Sequence, residues 1–499
     1  MRRRDLLATA SGAAAAGLLL PGTARAATGT AGTARQAASV GIDPAGSWGA
    51  WEGWGTSLAW WANVFGERDD LADVFFTRRT VDVGGAPLPG LGLNLARYNL
   101  GACSWNAVNG ERMVESPNIP RFKQIEGYWK DWRDEDPSSA AWDWSADAAQ
   151  RAMLRKAHDR GAKAELFSNS PMWWMCLNHN PSGAASGSDN NLQPWNYRQF
   201  AVYLAEVARR SADEWGVPFV SVEAFNESTS DYWSATGKQE GCHFDAAVQE
   251  EVLAHLRREL NRRGLADTAV AASDETNYQV ALDTWRSYGG AARDAVGRIN
   301  VHGYSGSSGP RAALRDAAAA AGKGLWNSEY GDRDGTGLSM VTNLHLDLRQ
   351  LRPSGWLYWQ VIDETQVWAL IDFDSSTNTL GTVRPKFYLL AQYTRHIRPG
   401  MRMIDTGDDA VVAAWDEGAG RLVVVAANTG NAAREVTLDL TAFGTVPADG
   451  TTVPRWATGA DDGGERYAAH RDDVLRGGRL SRTLGARSVH TFEFDGVRA

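Results

Sequence analysis

From Trp51 to about His396, short apolar runs alternate with longer segments whose apolar residues recur at helical spacing, the pattern of βα units around a parallel sheet. The apolar runs predict strands at Gly53 to Gly55, Asn94 to Leu100, Lys163 to Phe167, Phe219 to Phe225, Ala269 to Ala272, Arg298 to Val301, Gly324 to Asn327 and Gly355 to Gln360. Eight such strands with intervening helices predict an α/β fold, a (β/α)8 TIM barrel. Between them, Ala149, Ala152, Met153 and Ala157 fall at i, i+3, i+4 and i+8, while Val248, Val252, Leu256 and Leu260 repeat every four residues. Each helix can thus lay an apolar stripe on the sheet and turn its charges outward. Gly161 and Gly264 follow runs ending in Arg and are expected as helix C-caps with positive φ.

After Arg398-Pro399-Gly400 the period changes to two, at Ala410 to Trp415, Leu422 to Ala426, Val436 to Leu440 and Val489 to Phe494. This predicts a C-terminal antiparallel β-sandwich side domain. No Pro/Ser/Thr-rich spacer divides it from the last predicted barrel helix, Arg384 to His396, so rigid packing on the barrel is expected. The organisation read from the chain is a signal peptide at 1–26, a mobile segment at 27–45, the barrel at 46–396 and the side domain at 397–499. Ser39 to Ala45 is expected to add a strand to the side domain.

The signal peptide rests on Arg2-Arg3-Arg4-Asp5-Leu6-Leu7, an Ala/Leu run to Leu20 and the small-residue site Ala24-Arg25-Ala26. The apolar run is shorter than a membrane span, and the arginines resemble a twin-arginine export signal, so a secreted protein with no membrane segment in its mature form is expected. Only Cys103, Cys176 and Cys242 occur, an odd number that fits small buried hydrophobes better than a disulfide framework. A net charge of -9 argues against nucleic acid as a partner. The 22 Trp exceed what a core requires and suit the flat faces of sugar rings, which makes a polysaccharide or oligosaccharide the expected partner of a monomeric chain. Neither a metal nor a cofactor is expected, because no Cys/His cluster has ligand spacing.

Catalytic groups of such barrels lie at the C-terminal ends of strands. The fourth predicted strand ends in Asn226-Glu227-Ser228 and the seventh in Glu329-Tyr330-Gly331. Two opposed carboxylates about 5–5.5 Å apart hydrolyse a glycoside with retention, one attacking the anomeric carbon while the other protonates the leaving oxygen and later activates water. Asn226 can donate to the sugar 2-hydroxyl as the oxocarbenium ion forms, which assigns Glu227 as acid/base and Glu329 as nucleophile. Arg97 sits on a strand buried in the barrel and needs a carboxylate partner, for which Glu329 is expected. Tyr304 is placed as a second donor to Glu329, and His302 as a supporting group. These donors are expected to keep Glu329 ionised, with Glu227 held protonated beside it.

The runs Gly53-Trp54-Gly55-Thr56-Ser57-Leu58-Ala59-Trp60-Trp61-Ala62, Ala96-Arg97-Tyr98-Asn99, Ser168-Asn169-Ser170-Pro171, Phe225-Asn226-Glu227 and Asn327-Ser328-Glu329-Tyr330 resemble glycoside hydrolase family 30 of clan A. The resemblance runs from about Ala50 to the C-terminus and implies the same two glutamates in the same roles. It also implies that Trp359 forms the floor under the reacting sugar. The first-strand run looks like that of endo-β-1,6-galactanases, implying cleavage of galactan side chains of arabinogalactan. Exo-β-1,6-galactobiohydrolase, β-1,6-glucanase, glucuronoxylanase and glucosylceramidase specificities stay open, as does a non-catalytic sugar-binding protein. Further substrate contacts are expected from Asn169, Trp173, Trp60, Tyr232 and Trp233, whereas Asp363 and Glu364 read as solvated loop charges.

Overall fold

The computed structural model describes residues 38–364 and 367–499. The expected signal peptide and most of the segment expected to be mobile lie outside these residues. Eight parallel strands close into a barrel: β1 (Gly53–Ser57), β2 (Leu95–Leu100), β3 (Lys163–Ser168), β4 (Phe219–Glu223), β5 (Ala269–Glu275), β6 (Arg298–His302), β7 (Gly324–Tyr330) and β8 (Gly355–Gln360). The circle closes where β8 pairs with β1, Gly355 opposite Gly53 and Leu357 opposite Gly55. Each strand coincides with a predicted run, and the helices Ala148–Asp159 and Ala246–Arg262 carry the two apolar stripes. Both end as their sequences require, Gly161 and Gly264 taking φ of 89° and 75°, a region that costs glycine little.

Inward-facing residues alternate along each strand. At one level Leu95, Trp326 and Leu357 form a dry plug. The Arg298 guanidinium lies 3.4 Å above the Trp326 ring, and beyond it the interior turns polar, with Arg97, Glu165, Ser221 and Asn300 all fully buried. A barrel of this type ordinarily fills those layers with branched apolar side chains. Here they hold charge, and this layer carries the functional site.

The side domain is a seven-stranded sheet backed by a three-stranded one. Two of their strands come from the N-terminal side: Ala38–Gly41 pairs in parallel with Arg434–Asp439, and Ser47–Ala50 pairs with Arg402–Ile404. Ser47–Ala50 was counted with the barrel from sequence; its backbone hydrogen bonds place it in the side domain instead. The strands of the large sheet bury both faces. Val412, Ala414, Val423, Val425 and Val489 join the barrel core, while their neighbours Val411, Ala413, Trp415, Leu422, Val424 and Phe492 pack in the sandwich. A period of two thus builds two interfaces from one strand.

The last barrel helix, Pro385–Thr394, is bonded to this sheet. Thr491 Oγ1 donates to Gln392 Oε1 at 2.6 Å, and Gln392 Nε2 donates to Thr458 Oγ1 at 2.8 Å. Leu422 is wholly buried in the sandwich, so Leu422→Ala should cost about 2–5 kcal/mol. Because the sheet is shared, calorimetry should show one transition for barrel and side domain together, moved down in temperature, and a separate early transition would contradict this coupling.

Candidate active site

Arg97 projects from β2 into the barrel with its side chain fully buried. It donates from Nη2 to Asp274 Oδ2 at 2.5 Å, from Nε to Glu165 Oε1 at 2.9 Å and from Nη1 to Glu329 Oε2 at 3.3 Å. Its face lies 4.1 Å over the Phe167 ring. The expected contact with Glu329 is present, as the longest of three. Glu165 is further held by Ser221 Oγ at 2.7 Å, by Asn300 Nδ2 and by Arg298. Burial works against the Arg97 charge, but Asp274, Glu165 and Glu329 override it and raise its pKa.

Above Arg97 stand the two glutamates. Glu329 ends β7 and receives Tyr304 Oη on Oε1 at 2.7 Å. Glu227 follows β4 with φ of 49°, a left-handed conformation that costs a non-glycine residue about 1–3 kcal/mol. Its N–H donates to the Asp274 carbonyl at 2.8 Å, its carbonyl accepts from Trp233 Nε1 at 2.9 Å, and its Oε2 accepts from Tyr232 Oη. Asn226 sits beside it with Oδ1 unpartnered among the described residues. His302 closes β6 between them, Nδ1 lying 3.2 Å from Glu227 Oε1 and 3.5 Å from Glu329 Oε1. An oxygen of Glu227 and one of Glu329 lie within 4.8 Å of each other. That closeness matches the retaining arrangement and is shorter than the roughly 6.5–9.5 Å an inverting pair needs to admit water.

Burial pushes Glu329 up to about 7 against the pull of His302 and Arg97, with Glu227 and Asp274 adding to the rise. The donors alone predicted a carboxylate ionised throughout; desolvation outweighs them. Burial also opposes a charge on His302, yet Glu329 and Asp274 overcome it and set its pKa well above the histidine range. Asp274 is the group that sequence reasoning missed. Burial disfavours its charge too, but Arg97 and His302 hold its pKa far below the carboxylate range, and Ser328 Oγ donates to it at 2.5 Å. The signal was the polar Ser273-Asp274-Glu275 at the end of the fifth apolar run, in the same position as the two glutamates on theirs.

The carboxylates open into a cavity of about 1050 Å³ lined by Trp60, Trp359, Tyr232, Trp233, Asn226 and Tyr304 among others. Trp60 and Trp359 meet edge to face at 5.2 Å, and Lys123 Nζ lies 4.1 Å over the Trp60 ring. Asp363 and Glu364 also line the cavity, and burial pushes Asp363 up to about 6. Tyr232 is 48% exposed on the cavity while its hydroxyl reaches Glu227, so it touches both the carboxylate and the open space. Trp173 does not line the cavity: it is fully buried, donates to Ser104 Oγ at 2.6 Å and packs edge-on against Trp132. Asn169 is also buried and lies outside the lining, with both amide atoms unpartnered among the described residues. Cys103, Cys176 and Cys242 are free and buried.

Residues 38–292 match the family profile of O-glycosyl hydrolase family 30, and the chain is 51% identical over 465 residues to the endo-beta-1,6-galactanase of Hypocrea rufa, covering 93% of this chain and 96% of that one. The chain belongs to O-glycosyl hydrolase family 30. An exo-beta-1,6-galactobiohydrolase of Bifidobacterium longum subsp. longum is 27% identical over 448 residues, 70% of this chain and 29% of that protein. The fold recurs in the catalytic domain of the family 30 xylanase C from Talaromyces cellulolyticus, with a TM-score of 0.66, 18% identity and coverage of 92% and 100%. It recurs also in a conserved exported protein from Bacteroides fragilis, with a TM-score of 0.72, 18% identity and coverage of 91% and 100%.

Among the described residues, one trio of potential metal ligands is grouped closely, Glu227, His302 and Glu329. A metal there would have to displace the proton that Glu329 and Asp274 stabilise on His302. No described helix is long and apolar enough to cross a membrane. The charge layer should be indispensable to this family 30 barrel. Arg97→Met leaves Glu165, Asp274 and Glu329 with only Arg298 and His302 against their charge, and guanidinium unfolding at neutral pH should show a loss of about 3–5 kcal/mol. The loss should shrink as pH falls and the acids protonate.

Proposed function

We propose that this family 30 hydrolase is an exported endo-β-1,6-galactanase, which cleaves β-1,6-galactan side chains by double displacement with Glu227 as acid/base and Glu329 as nucleophile. The observation that carries the chemistry is the pair of carboxylate oxygens within 4.8 Å of each other, facing an open cavity. The substrate rests on the extensive identity to the Hypocrea rufa enzyme. Export rests on the N-terminal sequence alone.

In the first step a Glu329 oxygen attacks the anomeric carbon, the glycosidic C–O bond breaks, and the Glu227 proton passes to the leaving oxygen. In the second, water attacks the same carbon, Glu227 takes its proton, and the ester electrons return to Glu329. Asn226, with an orphan amide oxygen at the cavity wall, is placed to hold the 2-hydroxyl. Trp359 and Trp60 supply flat apolar surface beneath the sugar. At about 1050 Å³ the cavity lies near the upper end of the roughly 300–1,000 Å³ usual for small-ligand pockets, enough for more than one sugar ring.

Hydrolysis of β-1,6-galactan should release oligosaccharides of mixed length early, whereas release of disaccharide alone would favour the exo-acting reading. Glu329→Gln should abolish turnover, and a wild type that binds galactan without cleaving it would leave only a sugar-binding protein. Glu227→Ala should lose about 10²–10⁴-fold on poor leaving groups and far less on activated ones. Azide should then rescue it as a β-azide; an α-azide would reverse the two roles.

The pH profile should carry the Glu329 environment. Attack requires the carboxylate, so kcat/KM should fall as pH drops through about 7, where burial places the group. Tyr304 donates to the ionised form. Tyr304→Phe removes that donor, which raises the Glu329 pKa and should move the acidic limb to higher pH.

A further inference from the structure

We propose that His302, fixed by Asp274, serves both halves of the double displacement, its single Nδ1–H pairing with whichever of Glu329 and Glu227 carries the negative charge. The inference rests on the roles proposed above for the two glutamates.

The geometry offers one donor and two acceptors. His302 is fully buried at the end of β6, and Nδ1 lies 3.2 Å from Glu227 Oε1 and 3.5 Å from Glu329 Oε1. Its other nitrogen, Nε2, lies 3.1 Å from Asp274 Oδ2. That contact is an ion pair without hydrogen-bond alignment, since Nε2 has no hydrogen-bond partner. Asp274 is anchored independently, by Arg97 from β2 and by Ser328 from β7, and its carbonyl holds the Glu227 N–H. The groups facing the imidazole are therefore Asp274 from β5, Glu227 beyond β4, Glu329 on β7 and Tyr304 from its own strand end, with Arg97 behind Asp274. Two carboxyl groups and one aspartate balance the ring, and its pKa stands well above the histidine range.

The reaction moves one negative charge back and forth across this ring. Before the first step Glu329 is the anion and Glu227 carries the proton. When the glycosyl ester forms, the charge on Glu329 is consumed and Glu227, having given its proton to the leaving oxygen, becomes the anion. Hydrolysis of the ester reverses the exchange. The near-equal distances let a fixed cation follow the charge with a change of a few tenths of an ångström, and a preorganised charge that needs no rearrangement is effective for catalysis in a buried site. Arg97 and Tyr304 reach only Glu329, and Tyr232 only Glu227. Among these donors, His302 alone touches both.

Asp274 is accordingly a positioning residue, and Asp274→Asn in the full chain is the decisive variant. Asparagine has the same shape and tolerates the φ of 56° found there, so the substitution removes charge with little backbone cost. Nitrogen-15 spectra of labelled histidine, with His302 assigned by its loss in His302→Gln, should show both ring nitrogens protonated through pH 8 in the wild type. In Asp274→Asn the ring should titrate below neutral pH.

Pre-steady-state kinetics on an activated aryl β-1,6-galactobioside should show both ester formation and ester hydrolysis slowed by about 10²-fold. KM should change far less than kcat. His302→Gln, which keeps a donor and loses the charge, should slow both steps as well, and it tests the idea even if Asp274→Asn fails to fold. Slowing of one step alone, unchanged rates, or a His302 that stays charged in Asp274→Asn would overturn the proposal. An α-azide from Glu227→Ala would overturn the role assignment instead, so the two failures are distinguishable.

Discussion

The clasp of Arg97 by three carboxylates is the interaction on which this barrel turns. A lone guanidinium in that interior would be prohibitively desolvated, and three lone carboxylates more so. Together, Arg97 with Asp274, Glu165 and Glu329 bridges β2 to β3, β5 and β7. The nucleophile candidate is thus one corner of a charge lattice that also ties strands across the barrel. Its electrostatic surroundings cannot be altered without touching the lattice that supports the fold.

Around that centre the two glutamates are distinguished by what reaches them. Glu329 lies deeper and takes the cation and a phenol; Glu227 sits on a left-handed turn, pinned by backbone bonds to Asp274 and Trp233 and touched by a half-exposed tyrosine. Both line the cavity, one held by a fixed, buried set of partners and the other touched by a residue that is itself half-exposed on it. The proposed division of labour follows from these surroundings, since the residue type is the same.

The sequence made the barrel legible because each strand is a short apolar run, most of them ended by turns that contain Gly, Asn or Pro, and because helical stripes fall between them. Glu227, Glu329, Asn226 and Tyr304 drew notice for a related reason, each standing at or near the end of such a run, and Arg97 as a charge on a strand that must be buried. Asp274, at the polar end of the fifth run, and Glu165, inside the third, took on meaning only once their partners Arg97, Arg298 and His302, distant in sequence, were known. Trp173 and Trp359 look alike along the chain. Which of them reaches the cavity depends on the fold: Trp359 lines it from within β8, whereas the loop after β3 packs Trp173 back against Trp132.

The side domain is stitched from both ends of the described chain, with Ala38 opposite Val436 and Gly49 opposite Met403. Such pairings are about as non-local as a chain of this length permits, and non-local contacts repay their loop-closure entropy only late in folding. The early strands must wait for partners made much later in synthesis. The side domain can therefore be completed only after the whole barrel sequence has been made, as a module whose two sheets each take in a strand from the N-terminal side.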